Sequence, residues 1–337
     1  MQRSKTASTF FFLWLVLTEG IAFAQEKSPT DTSATQKLAQ NLFRPLVVSY
    51  ERYGGSDFTT RTQEEALARG RMASTDVVLA NISLPLLIRK KLYVIGNVGY
   101  QLQNHHLENL QVGGPGFTTA VESQRITNQA FSIGLNVVRR LTIQEQKFLI
   151  LGNASALTKD FTGRYQFTGF LGAGYVFKPT ARFRATAGLM YLINQGSSIP
   201  VIPVATVYYQ INDRWDLDSN FPLYLYLRRN INGRAWIGPG AEIRGFNFIS
   251  PAASAFLAKD DLQLRNTEIR YGLRYEQRVS QWFLIGAKAG LKTNFNHRIG
   301  EVSKPSRDYY LDSTIKGAPY VNLNLSFSPV LPSKKQP

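Results

Sequence analysis

The sequence predicts an all-β protein, a transmembrane up-and-down antiparallel β-barrel of about fourteen strands. Three observations carry this. The chain opens with an export address. Apolar and polar residues then alternate with period two over unusually long segments. The connections between those segments switch between short and long. Twelve or so strands is the alternative count, if the short pair around Trp215–Arg229 is an inserted hairpin rather than wall.

The export address comes first. Arg3 and Lys5 form a basic start, and Phe10–Leu17 is an apolar run. Ala22-Phe23-Ala24 is a small-x-small cleavage site before Gln25. That arrangement reads as a secretory signal, because the run is shorter than the ~20 residues a membrane-spanning helix needs. The expected organisation is a signal peptide over 1–24, a flexible periplasmic leader over 25–41, a barrel over 42–328 and a periplasmic tail over 329–337. The expected location is the outer membrane of a Gram-negative bacterium, with the signal cleaved after Ala24.

Composition narrows the classes. The chain has 337 residues, no cysteine, three histidines and a net charge of +16. The missing thiols exclude a disulfide scaffold, a cysteine-ligated metal and a thiol nucleophile. Mean hydropathy is −0.18, too low for a bundle of membrane helices but what alternating apolar and polar positions average to. The basic balance alone would suggest nucleic acid. Export and an oily strand face argue against that partner.

The elements follow in order. Expected strands are 42–52, 74–86, 91–104, 124–138, 147–158, 164–177, 181–194, 201–211, 214–220, 222–230, 234–248, 264–279, 281–296 and 317–328. Alternation is clearest at the end, where Val321, Leu323, Leu325 and Phe327 oppose Tyr320, Asn322, Asn324 and Ser326. Successive side chains of a strand point to opposite faces, so one face is apolar and the other polar. In Leu264–Val279 one face carries Ile269, Tyr271, Leu273 and Tyr275, and the other Glu268, Arg270, Arg274 and Glu276. A soluble strand has ~5–6 residues, whereas a bilayer crossing takes ~9–11. Residues 74–86 and 147–157 are mixed on both faces. Short connections rich in Asn, Asp, Gly and Pro lie near Arg89-Lys90-Lys91, Lys178-Pro179-Thr180, Asn212-Asp213-Arg214, Asn232-Gly233-Arg234 and Ser280-Gln281. Long loops are expected over 53–73, 105–123, 249–263 and 297–316, with a helical turn or two at Thr62–Arg69. Short turns at one end and long loops at the other are the mark of an outer-membrane barrel. Open sheet edges cannot face lipid, so such strands must close.

Strand parity then assigns a lumen. Its basic members are Arg182, Arg184, Arg228, Arg234, Arg244, Arg270, Arg274, Lys288 and Lys292. Its acids are Asp216, Asp218, Glu242, Glu268 and Glu276. A ring of cations favours passage of anions. Ladders of Arg–Glu and Arg–Asp pairs in a packed lumen account for the same residues without conduction. The inward glycines Gly238, Gly240, Gly286 and Gly290 make room for neighbours or for curvature. Tyr165, Phe177, Tyr191, Trp215, Phe221, Tyr271 and Phe283 read as the aromatic girdle of the interfaces.

Catalytic and metal readings are weaker. His105, His106 and His297 are the histidines. A lipid hydrolase would use His297 as base and Ser303 as nucleophile, but no G-x-S-x-G elbow is present. Adjacent histidines on an extended chain point apart, which disfavours a metal held by His105 and His106. Gly113-Gly114-Pro115-Gly116 lacks the Lys-Ser/Thr of a phosphate loop. No cofactor is expected.

The closing Val321-Leu323-Leu325-Phe327 pattern resembles the β-signal read by the barrel-assembly machinery, here followed by Ser328–Pro337. The segments Val48–Gly54 and Tyr275–Trp282 resemble uncharacterised outer-membrane barrels of Bacteroidetes-type bacteria, among them the family of unknown function DUF6268. The resemblance implies fold and location and carries no catalytic residue. The function expected is a passive pore or transporter for a small solute with a basic lumen. A lipid-modifying enzyme and a non-conducting structural or adhesion barrel are the alternatives.

Overall fold

A computed structural model describes residues 44–62, 65–113, 119–161, 163, 165–193, 200–249, 262–302, 304 and 308–329. The signal (1–24), the leader (25–41) and the tail beyond Pro329 lie outside the described residues.

The fold is all-β. Sixteen antiparallel strands form one sheet: β1 (Leu46–Tyr53), β2 (Ser56–Arg61), β3 (Ala66–Arg89), β4 (Leu92–Val112), β5 (Thr119–Ile143), β6 (Gln146–Thr158), β7 (Tyr165–Val176), β8 (Phe183–Ile193), β9 (Val201–Gln210), β10 (Trp215–Phe221), β11 (Tyr224–Asn230), β12 (Ala235–Ile249), β13 (Leu262–Arg278), β14 (Phe283–Glu301), β15 (Tyr309–Ile315) and β16 (Ala318–Phe327). Each strand from β3 to β14 pairs with its sequence neighbours. β1 closes the ring, pairing with β3 on one side and β16 on the other, and β16 pairs with β14. Fourteen strands therefore make the ring. β10 and β11 pair with β9 and β12, so they are wall and not an inserted hairpin.

The two remaining strands sit on top of the seam. β2 continues β1 beyond Gly54-Gly55, and β15 leads into β16 through Lys316-Gly317. The pairing offset is unchanged across the break, from Tyr53↔Tyr320 to Phe58↔Ile315. The facing does change. Tyr53 and Ser56, an odd and an even position, are both buried. Gly54 lies at this twist because its neighbour is close: a methyl group there would come within 2.8 Å of Pro319.

The expected long loops are corrected here. Strands β2, β3, β4, β5, β14 and β15 run on through most of 53–73, 105–123 and 297–316. In place of the helical turn at Thr62–Arg69, Thr62 closes a tight turn by accepting from and donating to Glu65, and β3 starts at Ala66. The physical reason is the environment. Above the lipid band both faces of a strand can be polar, so the period-two signal fades although the ladder of hydrogen bonds continues. The 250–261 part of the remaining loop lies outside the described residues.

The outer face is apolar where lipid would touch it. Val48, Ile82, Val98, Ile133, Leu171, Leu189, Leu225, Leu273, Ile285 and Leu323 are all exposed on it. Tyr165, Tyr191, Phe221, Tyr271 and Phe283 are exposed on the same face, and Trp282 stacks on Phe327 at 5.9 Å. An apolar exterior around a closed ring is the architecture of a transmembrane barrel. The wall is uneven. β3 and β5 have 24 and 25 residues, whereas β10 and β11 have 7 each.

Candidate functional site in the barrel lumen

Alternation sends every second side chain inward, and the register sets their heights. The lower lumen holds a charged ladder. Glu276 takes Arg274 at 2.7 Å and Arg44 at 2.9 Å. Arg228 lies between Asp216 at 2.6 Å and Asp218 at 2.7 Å. Arg184 faces the Tyr208 ring that Arg228 also approaches, each at 6.0 Å. Lys288 reaches Glu242 at 2.5 Å, and the Tyr226 hydroxyl donates to the same carboxylate at 3.0 Å. Gly240 is what lets Tyr226 lie there, since a methyl at that position would sit 2.2 Å from the ring.

Above this rung the network crosses the lumen. Arg270 is fully buried and bonds Glu268 and Glu51, the latter at 2.8 Å, with Glu242 3.6 Å away. Glu51 also binds Arg244, which comes from β12 with β13, β14 and β16 between the two strands. Lys292 pairs with Glu268 at 3.1 Å. Tyr53 places its hydroxyl among Arg270, Glu51 and Glu268 and its ring 4.0 Å from the Lys292 ammonium. Tyr53, Phe246 and Tyr320 enclose the Arg270 guanidinium at 5.3, 5.7 and 5.4 Å. A planar guanidinium suits this place, because it can pair with several carboxylates and stack on rings together.

The upper lumen holds an apolar cluster beside buried polar groups, among them Gln263, Arg265 and Asn266. Over Gly245–Ile249 and Leu262–Asn266 the β12–β13 hairpin is buried on nearly every side chain, both faces included. β13 stays laddered to β14 up to Leu262↔Glu301, while β12 loses its β11 partner beyond Glu242 and leans across toward β5 and β6. Phe246, Phe248, Leu262 and Leu264 pack with Val77 of β3, Ala130 of β5 and Ile299 of β14. Each large side chain so buried stabilises the arrangement by about 1.5–3 kcal/mol. At the hairpin's far side Gln263 and Gln166 of β7 exchange two amide hydrogen bonds, 3.0 and 2.6 Å, with β8 to β12 between them around the ring. The described part of the hairpin thus lies across the upper lumen.

These positions revise the lumen expected from parity. Arg184, Arg228, Glu242, Arg244, Glu268, Arg270, Arg274, Glu276, Lys288 and Lys292 do meet inside. Arg182 and Arg234 do not. Both are exposed in turns before β8 and β12, where parity no longer holds because the backbone leaves the pleat. The cations are matched by carboxylates, so the lumen is an ion-pair ladder and not a basic ring. Glu51, Tyr53 and Arg44 were missed as site residues. Glu51 was legible, since it alternates with Val48 and Tyr50 on a strand correctly anticipated. Its partners could not be read, because they lie across the barrel.

The histidines fall in the upper part of the wall. His105 of β4 shares a hydrogen bond with Thr75 at 2.9 Å, His106 lies 3.6 Å from Glu108, and His297 sits on β14 opposite Asn266. Ser303, the nucleophile of the hydrolase reading, lies outside the described residues. Among the described residues no group of three or more His, Asp or Glu could hold a metal ion.

No family model and no curated protein matches the chain. Solved structures that resemble it share about a tenth of its residues. An outer membrane channel from Pseudomonas putida F1 is 10% identical, with 90% of this chain and 99% of that one covered and a TM-score of 0.36. The translocator domain of the autotransporter NalP from Neisseria meningitidis is 10% identical, covering 88% and 92% at 0.30. A FadL homologue of Pseudomonas aeruginosa is 11% identical, covering 88% and 92% at 0.29. The chain's architecture therefore rests on its own ring of strands and apolar belt.

Proposed function

We propose that this chain is an outer-membrane transport barrel for small solutes that rests closed. The observation that carries the reading is the lumen itself. A membrane-spanning cylinder is crossed by a hairpin instead of being filled by wall side chains alone. One side of the hairpin is laddered to β14 from Leu262↔Glu301 to Thr267↔Asn296, and its far side is held by one amide pair and apolar contacts. A typical hydrogen bond contributes only about 0.5–1.5 kcal/mol net, so that far-side latch is weak beside the ion-pair network at the hairpin's root.

Planar bilayers test this. Wild-type protein is expected to give rare conductance steps, and Gln263→Ala to give more frequent ones. Silence from both variants removes solute conduction through the lumen and favours the non-conducting structural barrel, which the saturated ladder also suits. The exported, outer-membrane address belongs to the same proposal. Its check is the mature N-terminus, expected at Gln25, in an outer-membrane fraction.

A further inference from the structure

Among the described residues the wall is low between β9 and β12, at membrane depth. β10 and β11 are 7 residues long. At ~3.3 Å per residue and a tilt of ~40°, such a strand climbs about 17 Å. The apolar band of an outer-membrane barrel is ~25 Å tall. The turn between Phe221 and Tyr224 therefore ends inside the lipid band. Phe221 and Leu223 are each 53% exposed there.

Pairing shows how far the gap extends. β9 pairs with β10 only from Ala205 to Gln210, so Val201–Val204 pair with β8 alone. β12 pairs with β11 only up to Glu242, and Arg244–Ile249 pair with β13 alone. Among the described residues no strand fills the space between these two edges. Backbone groups on such edges are costly in lipid. The β12 edge is withdrawn from lipid because the hairpin tips into the lumen. Behind the gap lies the apolar cluster of Phe246, Phe248, Leu262 and Leu264, and below it the ion-pair ladder closes the way down.

We propose that the gap between β9 and β12 is a lateral portal through which molecules bearing an acyl chain pass between the lipid and the apolar cluster of the upper lumen, with the β12–β13 hairpin as its stopper. The proposal rests on the transport reading and names its substrate class. The chemistry is simple. An acyl chain entering sideways meets the apolar cluster, where it replaces hairpin side chains against Val77 and Ala130. The polar groups buried beside that apolar cluster, Gln166, Gln263 and Arg265, are already bonded to one another.

The test uses the intact barrel in vesicles of phosphatidylethanolamine and phosphatidylglycerol. The vesicles are doped with a phosphatidylethanolamine carrying a diazirine at its chain end. After irradiation, adducts are mapped by peptide mass spectrometry. Belt positions such as Leu223 and Ile285 should be labelled in every case. The portal requires further adducts on Phe246, Phe248 or Leu264, increased in Gln263→Ala, with Asp216, Glu276 and Asn322 of the lower lumen unlabelled. Adducts confined to the belt in both proteins overturn it, and so do adducts spread through the lower lumen. Heat-shifted gel mobility verifies that each variant is folded. The outcome is separable from conductance. A labelled upper lumen in a protein silent in bilayers leaves the portal and removes solute conduction. An unlabelled one in a conducting protein does the reverse.

Discussion

Arg270 shows what one residue does in this lumen. Its charge is buried with Glu51, Glu268 and Glu242 around it, and each acid has further partners of its own. Removing one member of a buried ion pair leaves an uncompensated charge, which typically costs about 3–5 kcal/mol. Arg270→Ala is therefore expected to lower the midpoint of urea unfolding in detergent micelles strongly. Arg274→Ala should cost less, because Arg44 remains on Glu276 at 2.9 Å. Equal loss in the two variants would mean that the crossing network is no tighter than the rung below it. Sequence parity put both arginines inside correctly. It could not rank them, because rank depends on Glu51 and Tyr53 arriving from the strand that closes the ring.

Among the elements, β13 and β14 illustrate how closely strands must approach. Gly272 and Gly290 face each other in register. A methyl on Gly290 would lie 2.0 Å from the Tyr271 carbonyl oxygen and 2.7 Å from the Gly272 Cα. Gly290→Val is expected to abolish the heat-shifted gel band, because neither contact is with a flexible side chain. A normal band would show that the two strands have room to part. The β12–β13 hairpin makes a different point. Its residues follow an ordinary strand pattern, with Glu268 and Arg270 on one face and Ile269 and Tyr271 on the other. Nothing local marks the place where its outer half leaves the wall. The burial of both faces from Leu262 to Asn266 reveals it, together with the register shift against β14 between Thr267 and Glu268.

At the scale of the whole molecule, closure depends on β16 meeting β1 from Leu46↔Phe327 to Tyr53↔Tyr320. Val321, Leu323 and Leu325 face outward on that last strand, and Phe327 packs on Trp282 and Phe283 at its C-terminal end. We propose that this outward row is read by the barrel-assembly machinery. Leu323→Asp with Phe327→Ala is then expected to reduce the heat-modifiable fraction in outer membranes while refolding into detergent in vitro is largely kept. Equal loss in both settings would assign the row to stability alone. The heights of the strands are also a property of the whole. A wall of 25 residues at β5 and 7 at β11 slants the rim and leaves the outer part of β12 without a β11 partner.

The sequence by itself determined the barrel, the count of strands in its ring, the outward apolar belt and most of the inward charges. Alternation is a local property, set by the pleat, and survives wherever one face meets lipid and the other does not. Tertiary structure alone decided that the lumen charges are paired, that Arg182 and Arg234 lie in turns, that strands continue where loops were expected, and that one hairpin lies across the upper lumen. Each of these depends on which residues meet across the ring or on what surrounds a face. A period of two records that a residue points inward, and carries no information about what it meets there.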